Sequence, residues 1–268
     1  MIQEYSGYLL NVADLVRKTG DTFKGIQFDD QSQAIEIFAL QSLAMCASHC
    51  QASALLLQGD FAGEAVIVLR PILEILFDIH WILLHQKREE RLEMVYKLEA
   101  NPYAQWDKET KLIAEKYPVE KAKSLRGTLD EIAVMNPHLT VTNSDGSKSF
   151  KAVNDSLADR MGEQLRPLYY HIYRYSSLFA HPTPANKNLY LKGNITQQNN
   201  EALEESLKQF VAYSLLSIGF IIGFAEEVLG LFSPSAKGQR DDLFKEMIEL
   251  IEKANKRYFL NPLQTEKR

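Results

Sequence analysis

Hydrophobic residues recur every three or four positions along the chain, as on one face of an α-helix, and few stretches alternate as a strand would. The pattern predicts a first helix over about 3–18, a second that begins near Asp30 or Ser32 and ends at about 57, and a third over about 61–86. A Gly-Asp turn separates the second helix from the third, so the two should pack as a helical hairpin. The predicted fold class is therefore all-α, a bundle of long antiparallel core helices.

The stretch 87–154 differs in character, because its charged, amphipathic segments are interrupted by Pro102 and Pro118. It predicts a peripheral region of short helices. Near its end a Ser-Asp-Gly turn lies between Leu-Thr-Val and Ser-Phe-Lys-Ala-Val, which predicts either a small β-hairpin near 139–153 or a mobile loop. We expect a single all-α domain over residues 1–268, with core helices at about 3–86 and 155–257 and a peripheral insertion at about 87–154.

The last part of the chain predicts two further helices, over about 200–232 and 238–257. The most apolar segment, at 210–224, has 15 residues, whereas a membrane span needs about 20, so it predicts a buried core helix. The N-terminal residues lack the basic start and apolar run of a signal peptide. These features favour a cytoplasmic protein with no membrane contact.

Composition limits the classes of function further. Hydrophobic residues make up 46% of the chain and the net charge is −5, which argues against a large basic surface for nucleic acid but leaves room for a local one. Cys46 and Cys50 lie one helical turn apart with His49 between them. Because the imidazole points to another face, this set falls short of tetrahedral coordination, and we expect free buried thiols and no metal or other cofactor.

The third predicted helix is almost entirely apolar except for Arg70, Glu74 and Asp78, which recur at intervals of four. That spacing places them on one stripe of the helix. Charged groups in apolar surroundings need partners or solvent. The stripe is therefore either an ion-pair ladder along the helix or one wall of a functional cleft.

A second group of polar residues occurs in "RYSSLFAHPTP", at 174–184. Seven helical residues turn through about 700°, so Arg174 and His181 would point the same way, with Ser177 between them. Pro182 should end the helix. An arginine that holds phosphate and a histidine that moves a proton are sufficient for metal-independent RNA cleavage by the ribose 2′-hydroxyl.

This pair resembles the Arg-(four to six residues)-His signature of the higher-eukaryote-and-prokaryote nucleotide-binding (HEPN) ribonucleases. The resemblance implies a small helical bundle that forms homodimers and acts on RNA. A second pair, Arg166 and His171 in "RPLYYH", has a similar spacing. The sequence leaves open which of the two pairs is the meaningful one.

A second resemblance covers about half of the chain. "ALLLQGDFAGEAVIVLRPILEILFDIHWIL" and, about 100 residues later, "YRYSSLFAHPTP" look like an uncharacterised bacterial family of all-helical proteins with Arg-x-x-x-Glu and Ser-x-x-x-His-Pro patterns. This resemblance implies a family of unknown function with a proposed kinship to HEPN-type or phage-defence proteins. The matching residues here are Arg70, Glu74, Ser177 (or Ser176) and His181, with Tyr173 nearby.

These observations lead to one leading hypothesis, a metal-independent endoribonuclease-like protein connected with toxin or phage-defence systems. Its proposed catalytic residues are Arg174, His181 and Glu74, and its proposed substrate-binding residues are Arg70, Ser177 and Tyr173. The two arginines would hold phosphate, His181 would act as acid or base, and Glu74 would orient one of them. The alternative is a non-catalytic interaction or ligand-sensing protein in which the same polar cluster is structural.

Overall fold

The computed structural model describes residues 2–21, 27–29, 32–116, 119–168, 170, 173, 197–229 and 245. Its helices are α1 (Ile2–Asp21), α2 (Ala34–Gln58), α3 (Ala62–Leu83), α4 (Arg88–Lys116), α5 (Val119–Met135), α6 (Leu157–Arg160), α7 (Gly162–Leu168) and α8 (Gln197–Leu229). A short 3₁₀ turn (Pro137–Leu139) leads into a two-stranded sheet of β1 (Thr140–Thr142) and β2 (Lys148–Phe150). The all-α class with one small hairpin is therefore confirmed.

The chain divides into two compact units, of which the first comprises 1–27, 39–79 and 161–268. Its core is built from α1, most of α2 and α3, and α8, and the apolar positions that the 3.6-residue period selects are buried. Fully buried side chains include Leu9, Leu43, Leu57, Leu69, Ile72, Leu73, Phe77 and Phe210. These side chains form the apolar centre of the described part of the first unit.

The α2–α3 connection is a tight turn that sets the two helices side by side. The Phe61 amide donates to the Leu56 carbonyl at 2.8 Å, and the Gly59 amide donates to the Leu55 carbonyl at 3.1 Å. Asp60 has φ of 66°, a left-handed conformation that asparagine, aspartate or glycine adopts most readily. Ser53 of α2 donates to the Ala65 carbonyl of α3 at 3.2 Å, which links the two helices directly.

The second unit comprises 28–38 and 80–160, close to the predicted peripheral insertion. Its largest element, α4, runs for 29 residues straight through Pro102, so the predicted break at this proline is wrong. A proline inside a helix costs about 3 kcal/mol, but buried residues on both sides, among them Val95, Ala100 and Thr110, hold α4 in place. Whether the two units form a single domain stays a prediction.

The predicted hairpin near 139–153 is present, with Thr140 paired to Phe150 and Thr142 paired to Lys148. Gly146 has φ of 81°, which a residue without Cβ adopts at little cost. The Asp145 carboxylate accepts from the amide and the hydroxyl of Ser147 at 2.9 and 2.6 Å, and these bonds lower the pKa of Asp145. The turn is therefore held by its own polar side chains.

The most apolar stretch of the chain lies in α8. Lys208–Leu229 is long and apolar enough to cross a membrane by length and composition, and 61% of its most hydrophobic window is buried within the protein. It is thus longer than the 15 residues that the sequence pattern marks. As expected of a core helix, α8 buries several apolar side chains, among them Phe210, Leu215, Ile218 and Ile221. The predicted last helix at 238–257 lies outside the described residues, apart from Lys245.

Candidate functional site

The first two residues of the charged stripe on α3, Arg70 and Glu74, form an ion pair. Arg70 Nε lies 3.3 Å from Glu74 Oε1, as two residues one helical turn apart can. The nitrogen is buried and lacks the alignment of a hydrogen bond, so the contact is mainly electrostatic. The side chains are 24% and 42% exposed respectively, so the pair is open to solvent on one side.

Tyr173 completes the cluster from a segment about 100 residues away in sequence. The Arg70 guanidinium donates through Nη2 to the Tyr173 hydroxyl at 2.5 Å, and that hydroxyl donates to Glu74 Oε1 at 2.7 Å. Both hydrogen bonds involve a charged group, which makes them stronger than neutral ones. We call Arg70, Glu74 and Tyr173 the α3 cluster.

The ring of Tyr173 adds apolar contacts to the polar ones. The Arg70 guanidinium carbon lies 4.4 Å from the ring centroid, a cation–π contact, and Phe77 meets the ring edge-on at 5.9 Å between centroids. Tyr173 itself is buried. These contacts fix the orientation of the guanidinium plane, because two of its bonding directions and one face are already occupied.

The electrostatics of the α3 cluster keep the phenol protonated. Burial raises the pKa of Tyr173 to about 12, and the hydrogen bond from Arg70 only partly opposes that shift while the charge of Glu74 reinforces it. At neutral pH the hydroxyl is thus a neutral donor, not a base.

His49, on α2, faces the same part of α3. Burial lowers the pKa of His49 below its usual 6.5, and a hydrogen bond to the Val68 backbone and the charge of Glu74 offset part of that effect. The imidazole is therefore neutral at pH 7. Sequence reasoning considered His49 only as a metal ligand beside the two cysteines and missed its position next to Glu74.

The predicted site residues are accounted for only in part. The structure brings Arg70, Glu74 and Tyr173 together. Arg174, Ser177 and His181 lie outside the described residues. So does His171, while its proposed partner Arg166 is half-exposed on α7 and pairs with Glu163 at 2.8 Å.

The side chains that were weighed as metal ligands have other surroundings. Cys46 and Cys50 are free and buried, and burial raises the pKa of Cys46 to about 12 and that of Cys50 well above its usual value. No group of three or more His, Cys, Asp or Glu side chains in the described part of the chain is arranged to hold a metal ion.

The fold and the α3 cluster define the chain as an all-helical protein with a guanidinium–phenol–carboxylate arrangement on a core helix. It belongs to the family of unknown function DUF5677, which matches residues 36–201 and so includes the whole cluster. This confirms the predicted uncharacterised helical family, whereas the kinship to HEPN proteins stays a prediction. Comparison with curated proteins and with solved structures gives no match.

Proposed function

We propose that the protein is a metal-independent, endoribonuclease-like protein of the HEPN type, of the kind that toxin or phage-defence systems contain, and that the α3 cluster is the phosphate-binding part of its site. The observation that carries the proposal is the partly exposed Arg70 guanidinium, held in a fixed orientation by Tyr173 and Glu74. A fixed guanidinium presents its remaining donors to phosphate without losing further freedom on binding.

The chemistry assigns a separate role to each residue. The ribose 2′-hydroxyl attacks the adjacent phosphorus, the bond to the 5′-oxygen breaks, and a cyclic phosphate and a 5′-hydroxyl result. A base takes the 2′-proton and an acid supplies one to the leaving oxygen. Arg70 stabilises the negative charge that develops on the phosphate oxygens, and His181 acts as the acid or the base in this reaction.

Tyr173 and Glu74 are positioning residues in this scheme. With a pKa of about 12, the Tyr173 phenol cannot serve as a base at neutral pH. Its hydroxyl instead fixes the positions of the Arg70 and Glu74 side chains by hydrogen bonding to both. Arg174 is the next residue along the chain, and His181 follows seven positions later. The proposal therefore requires the imidazole of His181 to reach the phosphate that Arg70 holds.

The proposal extends to location. The two cysteines of the described core are free thiols, which suits a reducing compartment such as the cytoplasm, where disulfides are rare. The buried face of α8 favours a core helix in a soluble protein over a membrane span.

A second function is favoured by a different observation, the mutual satisfaction of the α3 cluster. The Tyr173 hydroxyl both accepts and donates, and Arg70 already has a carboxylate beside it. Networks of this kind also specify a core without chemistry. The second candidate is thus a non-catalytic interaction or ligand-sensing protein whose cluster holds α3 against the segment that bears Tyr173.

RNA cleavage in the presence of EDTA separates the two functions. Structured RNA is incubated with the wild type, with His181→Ala and with Arg70→Lys, which keeps the charge but loses the planar fork. Under the ribonuclease proposal the wild type cleaves with EDTA present, and each variant slows cleavage by about 10²-fold or more. Arg166→Lys is the matched control, since Arg166 is exposed on α7 and belongs to the competing pair.

Each result has a direct consequence. Wild-type protein that leaves RNA intact at high concentration removes the ribonuclease proposal and favours the interaction protein. Loss of cleavage in Arg166→Lys with full activity in Arg70→Lys moves the site to the other pair. Circular dichroism and thermal unfolding of each variant show whether a lost activity merely reflects a lost fold.

A further inference from the structure

The second helix carries an exposed face with no charged side chain. Glu36, near its start, is the one acidic or basic residue of α2 apart from His49, and the helix is apolar on nearly all sides. A helix of that kind is normally covered all round. Yet seven residues of α2 are exposed. Six of them lie on one side of the helix, a set we call the outer stripe: Gln41, Ala44, Met45, Ser48, Ala52 and Leu55.

The outer stripe has the shape of a helix-packing surface. Its members fall within about 100° of the helix circumference. Small residues occupy its middle, where they allow a second helix to approach closely. Its two larger apolar side chains are Met45, at 46% exposure, and Leu55, at 58%.

A recess lies beside the N-terminal half of the outer stripe. A groove of about 360 Å³ lies between α1 and α2, and Ala44 and Ser48 of the outer stripe line it together with Leu40, Leu43 and Ala47. The opposite wall carries one arginine and one aspartate of α1, Arg17 and Asp21, so its charges nearly cancel. An apolar side chain that fills this recess would contact mainly apolar and small side chains of α2.

We propose that the outer stripe is the surface on which a second copy of this chain docks, α2 against α2, antiparallel about a two-fold axis that crosses the stripe at the level of residue 50. In a two-fold interface each residue meets its counterpart reciprocally. An axis near position 50 sets Met45 against Leu55 of the second copy and Ser48 against Ala52. Leu55 of one copy then reaches the groove beside Ala44 and Ser48 of the other.

Charge does not oppose a second copy at this surface, and its shape favours one. The chain has a net charge of −5, so most approaches between two copies bring like charges together. The outer stripe has no charged side chain, and two copies can meet there without that repulsion. The protruding leucine at one end and the recess at the other also make the surface complementary to itself.

The size of the surface predicts a weak dimer. From Gln41 to Leu55 the stripe is about 21 Å long and about 10 Å wide, or roughly 200 Å². A standard interface buries about 800 Å² on each partner, and the groove makes up only part of the difference. We therefore expect association that depends on concentration, and the proposal stands whether or not the protein cleaves RNA.

Sedimentation velocity of the full chain from about 1 to about 500 µM tests the interface. We expect the wild type to shift from monomer to dimer over this range and Leu55→Glu to remain monomeric, because two carboxylates would be buried in the apolar contact. Leu84→Glu is the matched control. Leu84 is 57% exposed but lies in the second unit, so this variant should dimerise as the wild type does.

A charge-pair variant tests the antiparallel register. The double variant Met45→Lys/Leu55→Glu places an ammonium opposite a carboxylate twice across the proposed axis, so it should recover dimer that Leu55→Glu has lost. A wild type that stays monomeric throughout, as it would if another part of the chain or a different partner covers the stripe, overturns the proposal. Equal dimerisation of Leu55→Glu and wild type, or no recovery in the double variant, also overturns it.

Discussion

Removal of one hydroxyl, in Tyr173→Phe, tests the α3 cluster most directly. The substitution keeps the ring, its edge contact with Phe77 and its cation–π contact with Arg70, and deletes only the oxygen between the guanidinium and the carboxylate. Any effect on stability therefore reports the two hydrogen bonds of that oxygen.

The magnitude follows from the exposure of its partners. A hydrogen bond to a charged group contributes about 1.5–3 kcal/mol when it is buried. Arg70 and Glu74 are 24% and 42% exposed, so water replaces part of what each loses, and we discount the sum strongly. We expect the free energy of unfolding to fall by about 1–2 kcal/mol.

Urea unfolding measures this change. With an m-value of about 3 kcal/mol/M, the midpoint should fall by roughly 0.3–0.7 M at constant slope. Tyr103→Phe is the control, because the Tyr103 ring packs on Phe150 and its hydroxyl makes no hydrogen bond within the described residues. A change below about 0.3 kcal/mol in Tyr173→Phe, or an equal loss in the control, would refute the reasoning.

The same variant has a distinct pH signature. The pKa of Tyr173 is about 12 in the folded protein and 10.0 ordinarily, so above pH 10 the unfolded chain releases a proton that the folded one retains. The stabilisation by the phenol is fully present below pH 10 and is lost as pH rises towards 12. The stability difference between wild type and Tyr173→Phe should therefore shrink over that interval.

Three further expectations concern other parts of the first unit. Glu74→Gln should lower the pKa of His49 further, because the carboxylate charge partly offsets the effect of burial, and NMR titration of the His49 ring would measure the shift. Because folding lowers this pKa, the stability linked to His49 is present above pH 6.5 and is lost as pH falls below it. Asp60→Gly should stabilise the protein by about 0.5–1 kcal/mol in thermal unfolding, since φ of 66° strains a residue with Cβ. Cys46 and Cys50 should resist thiol reagents at neutral pH and react fully in denaturant, because both are buried with raised pKa values; rapid labelling of the native protein would contradict this.

Sequence periodicity was sufficient to find the first half of the α3 cluster. Arg70 and Glu74 are one turn apart on an otherwise apolar helix, and local geometry alone brings them together. The third member of the cluster could not be predicted from local sequence. Tyr173 lies about 100 residues further on, and only tertiary packing decides that it, and not another polar residue of its segment, reaches the guanidinium.

The sequence contains a signal that could have placed His49 beside Arg70. In an antiparallel helical hairpin, residues equally distant from the turn lie level with one another, and with the turn at Gly59 and Asp60 His49 is level with Arg70. The error at Pro102 has the opposite origin. A local rule predicted a break in α4, but burial of residues on both sides of the proline outweighed its cost.

Stability and activity of the same variants distinguish a structural cluster from a functional one. A partly buried ion pair is weak grounds for stability, because apolar side chains of similar size often replace such pairs without loss. The phenol therefore contributes to stability mainly because two charged groups already sit beside it. If Tyr173→Phe lowers stability but leaves RNA cleavage in EDTA unchanged, Tyr173 only secures the fold. If cleavage falls by more than the loss of folded protein explains, the orientation of Arg70 matters for phosphate. The charged pair would then be kept on an apolar helix for its function.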